Sequence, residues 1–240
     1  HGAGAAAAWV VTLAFALQIF CDFEGYSTIA RGLAYIFGFR FPKNFNFPYL
    51  ASSFRNFWER WHITLSTWFR DYLYIPLGGN RGSTATTCRN LLLTMLIAGL
   101  WHGASWTFVV WGLLHGVLLC AERLAGMHRR CLRWPTALLW RAIVIVGVLY
   151  TWVWFRAVSV EDALLITRQL ASVGGSGIDI PSGLWLLCGA VGLLHGCAAL
   201  VERGTLHAPG SQTKALLSGV YAFLALSWHD GTAGFIYFQF

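Results

Sequence analysis

The segment from Arg89 to Arg123, RNLLLTMLIAGLWHGASWTFVVWGLLHGVLLCAER, limits the possible folds of this chain more than any other. No Asp, Glu or Lys interrupts it before Glu122, yet His102 lies near its centre. An ionisable side chain at bilayer depth costs roughly 3 kcal/mol or more. Such a residue is kept where it lines a water-filled cavity or takes part in chemistry, so His102 is the first candidate for function.

The segment is also too long for a single crossing. Leu91 to Ala121 is 31 residues, roughly 46 Å as one straight helix against a hydrocarbon core of about 30 Å. Both flanks are basic, with Arg81 and Arg89 before it and Arg123, Arg129, Arg130 and Arg133 after it. The positive-inside rule puts both flanks on the cytoplasmic side. Residues 89–123 are therefore predicted to form a broken or re-entrant helix pair. Gly99 and Gly103 bracket Trp101-His102 at the expected break, which is tolerated at depth only where protein or water satisfies the backbone.

The remainder of the chain has the same character. It is 57% hydrophobic, with 13 Trp, 17 Phe and 8 Tyr. Only 11% of its residues are charged, against about 25% in soluble domains. The fold class that follows is an all-α polytopic membrane protein. The net charge of +7 does not imply nucleic acid, because the basic residues fall at the ends of apolar runs rather than on one soluble face. The six cysteines show no CxxC spacing, so no metal site is expected. Further spans are predicted at Ala3–Phe20, Ala137–Phe155, Leu184–Val201 and Ala215–Trp228. Cys21–Ser27, with Asp22 and Glu24, is expected to end the first of these. A short helix is expected over Thr28–Phe39, a loop over Phe41–Tyr49 with its two prolines, and an amphipathic helix over Glu161–Val173. The first residue is His1 rather than Met, and no signal peptide precedes the first apolar run, which reads as the C-terminal part of a longer protein.

Residues 52–74 contain no run long enough to span. Phe54, Phe57, Trp58, Trp61, Leu65, Trp68, Phe69 and Tyr72 recur at spacings of three and four, opposite Arg55, Glu59, Arg60, Arg70 and Asp71. That pattern predicts one interfacial amphipathic helix, aromatic on one face and charged on the other. His62 stands at the edge of the aromatic stripe. It is read equally well as a snorkelling side chain or as a group that orients a substrate.

Several residues could carry chemistry. A neutral imidazole at His102 can take a proton from a hydroxyl and return it to a leaving group. Trp101 and Trp106 flank it as candidate walls. Asp22 and Tyr26, four apart, would share one face if their helix continues. His115 and His195 each precede a glycine in an apolar helix, which favours helix packing with a hydrogen bond. Gly78-Gly79-Asn80-Arg81-Gly82 reads as a turn, with an anion cradle as the lesser alternative. Nucleotide, zinc-protease and serine-hydrolase fingerprints are absent.

RNFWERWHITLSTWFRDYLYIPLGGNRGS (55–83) followed by AGLWHGASWTFVVWGLLHG (98–116) resembles the membrane-bound O-acyltransferases. DFEGYS, PKNFNFPYLASSF and the terminal FIYFQF are similar to the subgroup that acetylates exported polysaccharides such as alginate. The first of these motifs commonly reads DFSGYSD in that subgroup, so Glu24 and Thr28 are departures. The resemblance implies a ring of tilted helices around a membrane funnel, with residues 1–240 forming the C-terminal portion of a single such domain. It implies that His102 is catalytic and that His62 is the second histidine, meeting it at the pinch of the funnel. It implies no bound cofactor, an acyl thioester such as acetyl-CoA as donor, and a polysaccharide acceptor. It also implies periplasmic acetyl-transferring partner proteins, lipid surroundings and the bacterial inner membrane. D-alanyl transfer to teichoic acid, and a non-catalytic scaffold or transporter for polysaccharide machinery, are the alternatives. The N-terminal helices of the ring are expected to lie outside this chain, which alone would not close the funnel.

Overall fold

The computed structural model describes residues 4–127, 133–172, 182–202 and 204–205. These form α1 (Ala5–Ile36), α2 (Phe54–Trp58), α3 (Ile63–Phe69), α4 (Thr84–His102), α5 (Trp106–Leu124), α6 (Trp134–Arg156), α7 (Val160–Leu170) and α8 (Ser182–Glu202). A 3-10 turn over Pro48–Leu50 and a π-helical turn over Arg70–Tyr74 complete the described elements, which include no strand. Among the described residues three helices, α1, α5 and α6, are long and apolar enough to cross a membrane. The expected span at 215–228 and the terminal FIYFQF lie outside the described residues.

The first helix departs from expectation. α1 runs unbroken through Cys21–Ser27 for 32 residues, roughly 48 Å long. Asp22 and Glu24 do not stop it, because a carboxylate in a helix interior removes no backbone bond. The Ser27 hydroxyl instead donates within the helix to the Glu24 carbonyl at 3.3 Å. The helix ends before Gly38, which adopts φ +84, a region open to glycine at little cost.

The helix expected across 52–74 is also divided. α2 ends at Trp58, the chain turns through 59–62, α3 begins at Ile63, and the last five residues widen into the π turn. The aromatic stripe predicts one helix because spacings of three and four survive on each side of the turn. Phe54, Phe57, Trp61 and Phe69 are all buried, in packing that a continuous helix would not reproduce.

α4 and α5 pack as an antiparallel hairpin, capped at its helix starts by Ser83 and Ser105. The break falls at 103–105, so Gly99 lies inside α4 and has a different role. A Cβ at Gly99 would stand 3.3 Å from the Gly112 Cα and press into the Phe108 carbonyl. A Cβ at Gly112 would press into the Met95 carbonyl, and one at Gly116 would sit 3.1 Å from the Leu92 Cα. This small-residue seam lets the two backbones touch, a mode of helix association that needs no hydrophobic driving force. The buried core gathers α1, α2, the 59–62 turn, α5 and α6 around Phe20, Phe57, Trp61, Trp111, Val148 and Trp152.

Candidate active site

His102 is the last residue of α4. The backbone then extends at Gly103, where a Cβ would stand 2.6 Å from the Phe108 ring. Glycine is required there for space rather than for backbone conformation. The break turns the His102 ring into an aromatic frame. Trp111 stands edge-on at 5.1 Å and 89°, Phe155 at 5.1 Å and 80°, and Trp101 at 5.0 Å and 76°.

His62 occupies the turn between α2 and α3 in a left-handed conformation, φ 42 and ψ 54. For a residue with a Cβ this costs roughly 1–2 kcal/mol, and such strain persists only where surrounding contacts over-determine it. Here the proline-bounded loop supplies those contacts. The Ile63 N–H donates to the Asn44 carbonyl at 2.8 Å, and the Asn46 N–H donates to the Arg60 carbonyl at 3.0 Å. Arg60 Nη1 returns to the Asn46 carbonyl at 3.0 Å, and the Thr64 hydroxyl donates to Asn44 Oδ1 at 2.6 Å. The His62 ring meets Phe23 of α1 edge-on at 4.6 Å, and its buried Nδ1 has no partner among the described residues. His62 lies outside the three helices that can cross a membrane. Burial pushes its imidazole down from the ordinary value to about 3, and His102 is close enough for its charge to add to the effect.

A cavity of about 500 Å³ opens between α2–α3 on one side and α4–α5 on the other. His102 reaches it, along walls that include Ile63, Phe69, Met95, Ala98 and Leu119. Arg55, Arg70 and Arg123 also line it. The Arg55 and Arg70 side chains are 72% and 59% exposed, which places them at the open rim. Each has a surface partner, Glu59 at 2.9 Å and Asp71 at 2.7 Å. The Arg70 guanidinium beside Asp71 holds that carboxyl below the usual carboxylate range. Buried Glu122 also lines the cavity, and its Oε2 accepts from the Phe54 N–H at 2.6 Å. That bond ties the start of α2 to the end of α5.

The other residues singled out from sequence are placed differently. Trp101 touches His102 but is 56% exposed, and Trp106 is 73% exposed; neither lines the cavity. Trp111 and Phe155 frame His102, and Trp58 and Phe69 wall the cavity. Asp22 is half-buried and Tyr26 is 54% exposed on the continuous α1, while Phe23 between them is the residue against His62. Sequence alone missed Phe23, Asn44 and Phe155. Only the two asparagines of the loop carried a local hint, since Asn is a common turn-bonding residue. The glycine-rich segment is a turn. Its Gly78, Gly79 and Arg81 amides donate to the Ile75, Tyr74 and Gly78 carbonyls and are not free for an anion. Among the described residues no cluster of His, Cys, Asp and Glu could hold a metal ion.

Residues 4–159, which contain both histidines, the hairpin and the cavity, match the family model for membrane-bound O-acyltransferases. The chain belongs to that family. It is 51% identical over 172 residues to the probable alginate O-acetylase AlgI of Azotobacter vinelandii, covering 70% of this chain and 33% of that protein. The peptidoglycan O-acetyltransferase of Helicobacter pylori is 43% identical over 170 residues, covering 70% of this chain and 32% of the relative. The teichoic acid D-alanyltransferase of Bacillus subtilis is 29% identical over 148 residues, covering 59% and 38%. The chain thus spans about a third of the length of the curated relatives it matches.

Proposed function

We propose that the full-length protein is an O-acyltransferase of the bacterial inner membrane that moves acetyl from a thioester toward hydroxyls of an exported polysaccharide. The observation that carries this reading is His102 on a cavity of about 500 Å³ with apolar walls and a basic rim. A thioester donor suits that cavity. Its acyl end meets apolar side chains near His102, and its phosphate-bearing end meets Arg55, Arg70 and Arg123. His102 acts as general base, taking the proton of the acceptor hydroxyl as the oxygen attacks the thioester carbonyl. The C–S bond then breaks and the thiol leaves with the proton. His62 lies off the cavity lining, against α1, and from there orients the acceptor or hydrogen-bonds the charge that develops on oxygen. The Trp111–Phe155 frame excludes water and limits hydrolysis. Redelivery of acetyl to the polysaccharide falls to periplasmic partner proteins.

Acetyl is preferred to D-alanyl because the acetylating relatives are 51% and 43% identical and the D-alanylating one 29%. The test uses membranes holding the full-length protein, supplied separately with labelled acetyl-CoA, acetyl-carrier protein and D-alanyl-carrier protein. Label in alkali-labile esters from either acetyl donor is the expected result. Transfer only from the D-alanyl donor would replace acetylation with the second reading. Transfer from none, with polysaccharide export lost on deletion, would favour a scaffold.

A further inference from the structure

His115 is ionisable, fully buried and unused by the mechanism above. It follows Trp111 by one turn on α5 and reaches across to α6. There the Thr151 hydroxyl gives its single proton to the Val148 carbonyl at 2.7 Å. That leaves the Thr151 oxygen as acceptor in its 3.0 Å contact with His115 Nε2, so Nε2 carries the proton. The bond fixes the imidazole in both position and rotation.

Four rings depend on that orientation. His115 lies face-on to Phe57 at 6.2 Å and 8°. It stands edge-on to Trp58 and to Trp111, each at 4.9 Å. Trp111 in turn stands edge-on to His102 at 5.1 Å. The indole N–H groups of Trp58 and Trp111 are buried and find no acceptor among the described residues, where packing orients these two rings. Aromatic pairs prefer such edge-to-face geometry, and a rotated His115 would disturb both indoles at once. One indole walls the cavity and the other frames His102.

We propose that His115, pinned by Thr151, is a positioning residue for acyl transfer: through Trp111 it sets the angle of the His102 imidazole, and through Trp58 the shape of the donor cavity beside it. The inference rests on His102 being the base. His115 does not line the cavity and acts only through the indoles.

The test measures kcat and KM for the acyl thioester per folded molecule of full-length protein, with folding judged by size-exclusion chromatography. Thr151→Val removes the acceptor at nearly constant volume. Its kcat is expected to fall about tenfold or more with KM little changed, since a 1 Å misplacement near a site can cost about a hundredfold. Thr151→Ser keeps the hydroxyl and is expected to retain wild-type kcat. His115→Gln, which can still donate to Thr151, is expected to exceed His115→Phe in kcat while leaving the pH profile in place. Wild-type kcat in folded Thr151→Val, or an equal loss in Thr151→Ser, would overturn the proposal. A pH profile displaced by His115→Gln would also overturn it, by making His115 a proton-transfer group. If Thr151→Val does not fold, equal kcat in His115→Gln and His115→Phe overturns it instead. Each of these results leaves the His102 reading standing, whereas full turnover in His102→Ala removes the base and this inference with it.

Discussion

Alanine at Gly99 tests whether the hairpin seam positions His102. Intrinsic helix propensity favours the substitution by about 1 kcal/mol. The seam opposes it. The new Cβ would stand 3.2 Å from the Phe108 carbonyl carbon, 3.3 Å from the Gly112 Cα and closer still to the Phe108 oxygen, all of them backbone atoms that cannot rotate away. Relieving the contact with the Phe108 oxygen, the tightest of the three, parts the helices by about 1 Å. Overpacking of this kind costs about 1–3 kcal/mol, so the net effect is a loss of up to about 2 kcal/mol. Function should suffer more than stability, because Gly99 lies three residues before His102 and α5 carries Trp111. Displacing the imidazole from its aromatic frame by even a fraction of an ångström should lower kcat about tenfold or more. The control is Gly32→Ala, at an exposed position of α1 where no atom of the described residues lies within 4 Å of the new Cβ. It should be neutral or slightly stabilising. Thermal unfolding in detergent and turnover in membranes of the full-length protein measure both effects. If Gly99→Ala matched Gly32→Ala in Tm and kcat, the seam would not position the site.

Other perturbations separate the parts of the site. Gly103→Ala drives a Cβ into the Phe108 ring, and a kcat loss larger than any change in Tm is expected from turnover and melting on the same preparation. Glu122→Ala leaves the buried Phe54 N–H without its acceptor and should cost about 1–3 kcal/mol; Glu122→Gln, which keeps a carbonyl oxygen, should recover most of that Tm. Asn44→Ala removes the side-chain acceptor for Thr64 that holds the His62 turn, and should cost about 1 kcal/mol with a fall in kcat. Arg70→Gln together with Arg123→Gln should raise KM for the thioester while leaving kcat near wild type, as read from initial rates across donor concentrations.

The parts of this architecture that were legible in sequence are those written as local pattern. His102 was conspicuous because the apolar run around it left no other reason for an ionisable group. Gly103, beside His102, stands at the break itself, so the sequence marks that interruption locally. What was not legible depends on partners distant in the chain. The left-handed His62 turn is held by Asn44 and Asn46 across a loop, and helical spacings continue on both sides of it, so the aromatic stripe conceals the break. The interior glycines could not be sorted by inspection, since Gly99 is a packing residue and Gly103 a site of close ring approach. Trp101 and Trp106 stand next to His102 in sequence, but Trp111, about 140° round α5 from Trp106, is the indole that faces inward.

The most direct measurement is acetyl transfer by full-length His102→Ala, assayed in membranes with labelled thioester donor beside wild type, with insertion and folding verified on the same sample. A fall in kcat of about 10²–10⁴ in a normally inserted, normally folded protein is the predicted result, the range expected for loss of a general base. Wild-type turnover in that variant would contradict the account, and the cavity that ends at His102 would need another purpose.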